Sequence, residues 1–219
     1  MKASPSLPRY TKGEEIFSYV SHIVGAAFGI PALVSCLLVS ISHGNTRGIV
    51  CSIVYGLSMI VLYTFSTLYH ALPIGTGKRV FRVLDHCGIY FLIAGTYTPI
   101  VLCSIAPVYP LWGWGIFAAV WILAAAATVF TAVNLKKYSR FGMVCYILMG
   151  WCILVALKPT LDVLPLPAFL WLLGGGASYS LGAVLYGIGK KKRWMHSIFH
   201  LFVLLGSILQ YICVVAYVL

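Results

Sequence analysis

Apolar residues run along this chain in seven long stretches, at roughly 18–41, 48–72, 83–104, 111–133, 141–157, 168–189 and 195–219. Nearly all match the roughly 17–25 residues that an α-helix needs to cross the hydrocarbon core of a bilayer. The segments between them are short and rich in turn formers: His-Gly-Asn at 43–45, Pro-Ile-Gly-Thr-Gly at 73–77, Pro107 and Pro110, and Pro159, Pro165 and Pro167. No stretch alternates polar and apolar residues at the strand period, which argues against a membrane β-barrel. The pattern predicts an all-α integral membrane protein, a bundle of seven transmembrane helices forming a single domain over residues 1–219.

Composition agrees. Hydrophobic residues make up 61% of the chain and charged residues 9%, where soluble domains carry roughly a quarter charged residues. Lys2, Arg9 and Lys12 precede the first apolar stretch in the manner of a secretory signal. That stretch is long for a signal core and more spans follow, so it reads as an uncleaved first span. Pro31 and Pro99 are candidates for kinks in spans one and three. The run Gly-Gly-Gly-Ala-Ser-Tyr-Ser-Leu-Gly at 174–182 suits close helix contact in lipid. No strand or polar loop precedes it, so it is not a phosphate-binding loop. The seven cysteines form no Cys-x-x-Cys pair and read as small buried hydrophobes.

The net charge of +11 invites a nucleic-acid partner, but its placement argues against one. Thirteen of the fifteen Lys and Arg residues fall at the amino terminus or in the segments after spans two, four and six; Arg47 and Lys158 fall on the other side. By the positive-inside rule the amino terminus is cytoplasmic and the carboxyl terminus lies outside, a split that requires an odd number of spans.

This topology brings polar residues together. His22, His70, His86, His196 and His200, with Glu14, Glu15 and Asp85, all fall at the cytoplasmic leaflet; His43 and Asp162 do not. Ionisable groups at membrane depth are costly unless paired or bound. His196 and His200 stand one helical turn apart, on one face, with bases about 6 Å apart. Two imidazoles so spaced can grip one ion, and no acid lies between them, which excludes the His-Glu-x-x-His protease motif. Ser66 and His70 repeat the spacing and add a hydroxyl and a third imidazole. Three histidines and a water form a common open zinc site. Asp85 is the natural proton acceptor beside such a water; otherwise it supports a histidine N–H or pairs with Arg82 or Arg79. Ser66 either binds water or a substrate oxygen or bonds its own helix backbone. Three imidazoles and water also accommodate cobalt or iron.

The segments Glu-Glu-Ile-Phe-Ser-Tyr-Val-Ser-His (14–22), Ser-Thr-Leu-Tyr-His (66–70), Leu-Asp-His-Cys-Gly-Ile-Tyr-Phe-Leu-Ile-Ala-Gly-Thr-Tyr-Thr-Pro (84–99) and His-Ser-Ile-Phe-His (196–200) give the chain a resemblance over nearly its whole length. It resembles the hemolysin III family, bacterial relatives of the progestin and adiponectin receptor (PAQR) family. The resemblance implies seven helices with a cytoplasmic amino terminus, in a bacterial cell membrane. It also implies zinc held by His70, His196 and His200, with Ser66 and Asp85 near its water. One residue departs from the pattern: Ser18 stands where the family usually has Asn, four positions before His22.

The activity expected from these residues is zinc-dependent hydrolysis of a membrane-lipid amide or ester, in lipid homeostasis, with the lipid as substrate or ligand and no nucleic-acid partner. Three alternatives compete. One is a sensor or receptor with a structural zinc; another is a pore-forming cytolysin, against which the absence of a repeated polar stripe argues. The last is a proton or ion carrier, which would want ionisable groups deeper in the bilayer. Glu15, His22 and His86 have no assigned role at this level.

Overall fold

The apolar stretches become helices in the computed structural model, which describes residues 7–8, 10–189 and 192–219. The elements are α1 (Lys12–Ser42), α2 (Thr46–Ala71), α3 (Thr76–Pro99), α4 (Pro110–Asn134), α5 (Ser139–Gly150), α6 (Leu157–Val163), α7 (Leu166–Gly189) and α8 (Met195–Cys213). A π-helical segment, Ile100–Ile105, extends α3, and another, Val214–Val218, extends α8. A 3₁₀ turn, Cys152–Ala156, joins α5 to α6, and the three together make the fifth crossing. Seven crossings are long and apolar enough to span a bilayer, and no strand occurs among the described residues. The protein is a multi-pass integral membrane protein.

Several boundaries move outward from the apolar stretches because the helix ends are polar. α1 begins at Lys12, not near 18, since Thr11 and Glu14 form a reciprocal cap: the Glu14 N–H donates to Thr11 Oγ1 at 3.3 Å and the Thr11 N–H to Glu14 Oε2 at 2.8 Å. α3 begins at Thr76, so Lys78, Arg79 and Arg82 lie on its first turns and not in a loop. The fifth crossing ends at Val163, not 157, and Pro159 is not a loop residue. It occupies the first turn of α6, where the absent N–H would have had no helical partner anyway. Of the basic residues used to orient the chain, Lys2, Arg9, Lys190 and Lys191 lie outside the described residues.

The two proline expectations part company. α1 stays α-helical through Pro31, whereas α3 turns π-helical immediately after Pro99, where the missing N–H breaks the bonding register. The break in the fifth crossing is sealed from another helix. The Tyr97 hydroxyl donates to Gly150 O at 2.9 Å and accepts from the Ile153 N–H at 3.0 Å. Irregular backbone at membrane depth needs such partners because lipid offers none.

α3 sits at the centre: 72% of its most apolar window is buried inside the protein, against 28% for the first, fourth and fifth crossings. α2 packs between α1 and α3, α7 packs on α8, and α8 returns to α1. Glycine lets these helices approach. A Cβ at Gly25 would stand 2.6 Å from the ring of Tyr63, and Gly206 receives the ring of Tyr179 in the same way. Within the glycine run of α7, Gly175 accepts the Gln210 side chain and Gly182 faces Phe199 and Phe202, as close packing requires. Tyr63 and Tyr179 then meet on α8: Tyr63 donates to Ser207 Oγ at 2.8 Å and the Tyr179 hydroxyl lies 2.9 Å from the same oxygen. All seven cysteines are free thiols, five of them buried.

Gly25→Leu is expected to cost about 1–3 kcal/mol, the usual range for overpacking a filled core. Gly115→Ala, at an exposed helix position with nothing within 4 Å, should stay within about 0.5 kcal/mol of the parent. Thermal unfolding of the two variants in detergent reads the difference.

Candidate metal centre

Three helices build the site. Glu15, Ser18 and His22 recur at i, i+3 and i+7, so α1 presents them on one stripe. That stripe meets the face of α8 that carries His196, Ser197 and His200, while His70 arrives from the last turn of α2. Ser18 Oγ lies 3.2 Å from Ser197 Oγ, and the Ser197 hydroxyl reaches Glu14 O at 3.3 Å. The short side chain at 18 is thus matched by a serine on α8. Where α8 starts, the Trp194 N–H donates to Glu14 Oε1 at 2.7 Å. Trp194 has φ +64°, a conformation that costs a non-glycine residue about 1–2 kcal/mol. The charge-assisted bond from Glu14 holds it there.

The three imidazoles converge. His196 Nε2 lies 3.3 Å from His70 Nε2 and 3.2 Å from His200 Nε2, and one nitrogen from each ring falls within 4.8 Å of the other two. All three residues are buried. Their outer partners fix the tautomers. His70 Nδ1 is 2.6 Å from Glu15 Oε2, and His200 Nδ1 is 3.3 Å from Ser18 O. A carboxylate and a carbonyl only accept, so both Nδ1 atoms carry protons and both Nε2 atoms present bare lone pairs. His196 Nε2 offers one lone pair or one proton and cannot satisfy two neighbours at once. A cation at the centre satisfies all three. A tetrahedral divalent ion with nitrogen bonds of about 2.0–2.1 Å would space its ligands about 3.3–3.4 Å apart, which matches the two short separations. The donor set therefore fits a metal ion.

Support behind these histidines is ionic. Glu15 Oε1 pairs with Lys78 Nζ at 3.0 Å, giving a Lys78–Glu15–His70 series. Lys78 is buried and also donates to the carbonyls of Tyr69 (2.9 Å), His70 (3.2 Å) and Leu72 (3.1 Å), closing the end of α2. A carboxylate behind a ligating histidine orients the ring and raises its basicity.

Asp85 and Ser66 stand outside the triangle and line a largely apolar cavity of about 120 Å³ together with His22, His196 and His200. The Ser66 hydroxyl neighbours the Asp85 carboxylate without closing a hydrogen bond, and it makes none to its own helix. Asp85 forms no ion pair with Arg79 or Arg82 among the described residues. It lies 3.9 Å from His86 Nδ1, whose proton goes to Arg82 O at 2.8 Å. His86 instead ties α3 to α7, with its Nε2 3.2 Å from the Tyr186 hydroxyl. His22 is stacked on His200, with centroids 3.8 Å apart and planes 18° apart, and neither ring nitrogen has a hydrogen-bond partner.

Sequence reasoning passed over Tyr10, Lys78 and Tyr186. Tyr10 stacks on His196 at 4.8 Å and 18°. Burial, the largest cause, pushes its phenol pKa up, so it stays un-ionised. The i, i+3, i+7 stripe was a signal that could have placed Glu15 beside His22; nothing local marks Tyr10 or Lys78.

The profile of the family described as Haemolysin-III related matches residues 10–211. "Hemolysin-3" of Bacillus cereus is 41% identical over 206 residues, covering 94% of this chain and 92% of its own length. "Hemolysin-3 homolog" of Bacillus subtilis (strain 168) is 36% identical over 208 residues, covering 95% and 96%. "Monocyte to macrophage differentiation factor" of Homo sapiens is 26% identical over 197 residues, covering 86% and 79%. No solved structure matches significantly.

Elemental mass spectrometry of detergent-purified protein should find about one transition-metal ion per chain, lost in His70→Ala, His196→Ala and His200→Ala. Glu15→Gln should keep the ligands but weaken metal affinity about 10–100-fold. Full retention of metal in the His196→Ala and His200→Ala proteins would place the ion elsewhere.

Proposed function

The chain belongs to the haemolysin-III-related family, and from that premise we propose that it is a zinc-dependent hydrolase of membrane-lipid amides or esters. The observation that carries this is the placement of Asp85 and Ser66 on the wall of an apolar cavity that also exposes His196 and His200. His70, His196 and His200 would hold the metal, and three neutral imidazoles suit zinc. Zinc supplies Lewis acidity to a carbonyl and to water when it is bound.

The remaining roles fall to this chain's own side chains. The apolar wall, from Leu62 and Leu92 to Val203, receives the acyl chain and excludes bulk water from it. The Ser66 hydroxyl, without a partner of its own, donates to the substrate's carbonyl oxygen. Asp85 takes a proton from the attacking water as oxygen adds to the carbonyl carbon. It returns that proton to the departing nitrogen or oxygen as the carbon–nitrogen or carbon–oxygen bond breaks, leaving a fatty acid and an amine or alcohol. The basic end of the bundle, where the site lies, faces the cytoplasm of a bacterial cell under the positive-inside rule, so the lipid is drawn from that leaflet.

A structural role for the same ion has its own support. His70 lies on α2 and the other two ligands on α8, helices that share little direct packing, so an ion there would staple them. The relatives' name, hemolysin, raises lysis as a third activity.

Asp85→Asn should retain bound metal while lipid hydrolysis, followed as fatty-acid release from ceramide or phospholipid in mixed micelles, falls about 10²–10⁴-fold. Metal retention with no product from any protein, and a large thermal destabilisation in His200→Ala, would instead favour the staple. Dye leakage from vesicles that persists unchanged in Asp85→Asn would favour the pore.

A further inference from the structure

Above the metal centre opens a second, polar cavity of about 580 Å³, whose wall includes Tyr10, Glu14, Arg82, Lys192, Arg193 and His196. Three positive charges face it against a single carboxylate, Glu14, which lies within the field of Arg193 without forming an ion pair with it. The chain has four acids in all, each with other partners or at another place. Glu14 spends one oxygen on the Trp194 N–H and the other on Thr11. Glu15 is held by His70 and Lys78, and Asp162 bonds Tyr109 and Lys158. Asp85 lines the apolar cavity, within the field of Arg82 but without an ion pair to it. Among the described residues, Arg82, Lys192 and Arg193 enter no ion pair. Arg82 Nε is also buried without a hydrogen-bond partner, a costly state for a guanidinium whose planar donors match phosphate.

We propose that this vestibule is a phosphate-binding subsite, in which Arg82 takes the phosphate through its planar donors and Lys192 and Arg193 complete the charge. Its position assigns the ligand's shape. His196 and Tyr186 line both this vestibule and the apolar cavity, so the two spaces abut at the metal centre. A lipid with its phosphate in the vestibule and an acyl chain in the apolar cavity carries the bond between them past His196. Resting on the hydrolase reading, this narrows the substrate class to phosphate-bearing acyl lipids over neutral ones. The phosphate itself could equally arrive as the free ion.

The test measures binding, without turnover. Metal-loaded, full-length protein in a neutral detergent is titrated, by microscale thermophoresis, with micelles doped with a phosphatidic acid or with the matching diacylglycerol. Inorganic phosphate is added as competitor. Phosphatidic acid should bind at least tenfold more tightly than diacylglycerol. That preference should drop at least tenfold in Arg82→Gln and in the Lys192→Gln, Arg193→Gln double variant. Arg82→Lys, which keeps the charge and the aliphatic stem, should retain part of it and guards against a folding defect. Lys136→Gln with Lys137→Gln, which removes two charges from another loop at the same end, should leave it intact. Competition by millimolar inorganic phosphate would show that the free ion is accepted; no competition would assign the site to a lipid headgroup, and both results support a phosphate site. Equal affinity for the two lipids, or an equal loss in the Lys136 and Lys137 variant, would overturn it. Normal metal content with no phosphate preference would remove this subsite alone, whereas absent hydrolysis with the preference intact would remove only the hydrolase reading.

Discussion

A carboxylate cannot rest at membrane depth unless its charge is answered, and Glu15 is answered twice. One oxygen takes the His70 N–H and the other the Lys78 ammonium. Losing one partner would leave the other to answer this half-buried charge, whereas losing both would strand it. The arrangement therefore welds the start of α1 to the end of α2 and the first turn of α3. It also settles which nitrogen of His70 is bare. The rest of the centre inherits its geometry from that weld, because α8 docks onto the same face of α1 through Ser18, Ser197 and Glu14.

Below the three histidines the bundle is held by packing of a different kind. Tyr63 fits against Gly25 and Tyr179 against Gly206, and their hydroxyls meet at Ser207. In lipid, where apolar contact between helices has no water to escape, close backbone approach and satisfied hydroxyls are what distinguish one helix arrangement from another. Large rigid rings in glycine notches meet both needs, and they set the depth at which His22 lies edge-on to Tyr63 and flat against His200.

The seven crossings were legible because bilayer thickness dictates helix length, and length survives any detail of packing. The ends were less so. Lys12 and Lys78 look like loop charges in a linear reading, yet one begins a capped helix and the other is buried against three carbonyls. The His196–His200 pair showed itself through one-turn spacing, and Ser66 with His70 through the same rule. Glu15 did not, since its partner His70 is 55 residues away and only the fold brings them together. Tyr10 is hidden for the same reason: an aromatic residue before a first span has many ordinary uses, and only its stack on His196 shows which applies. Pro159 was misjudged because a proline near a span's end marks a helix start as readily as a helix stop.

The π-helical segment that follows Pro99 has a consequence for how this sequence can drift. A π turn holds one residue more than the α turn it replaces, so Ile100–Ile105 is a store of slack in the chain. Loss of one residue there returns the segment to α-helix and leaves everything before Pro99 in place, including Asp85. The same loss within α3 between Lys78 and Asp85 would turn the carboxylate about 100° relative to the turn that carries Lys78. Insertions and deletions among related chains should accordingly gather after Pro99 and avoid the turns of α3 that carry Lys78 and Asp85.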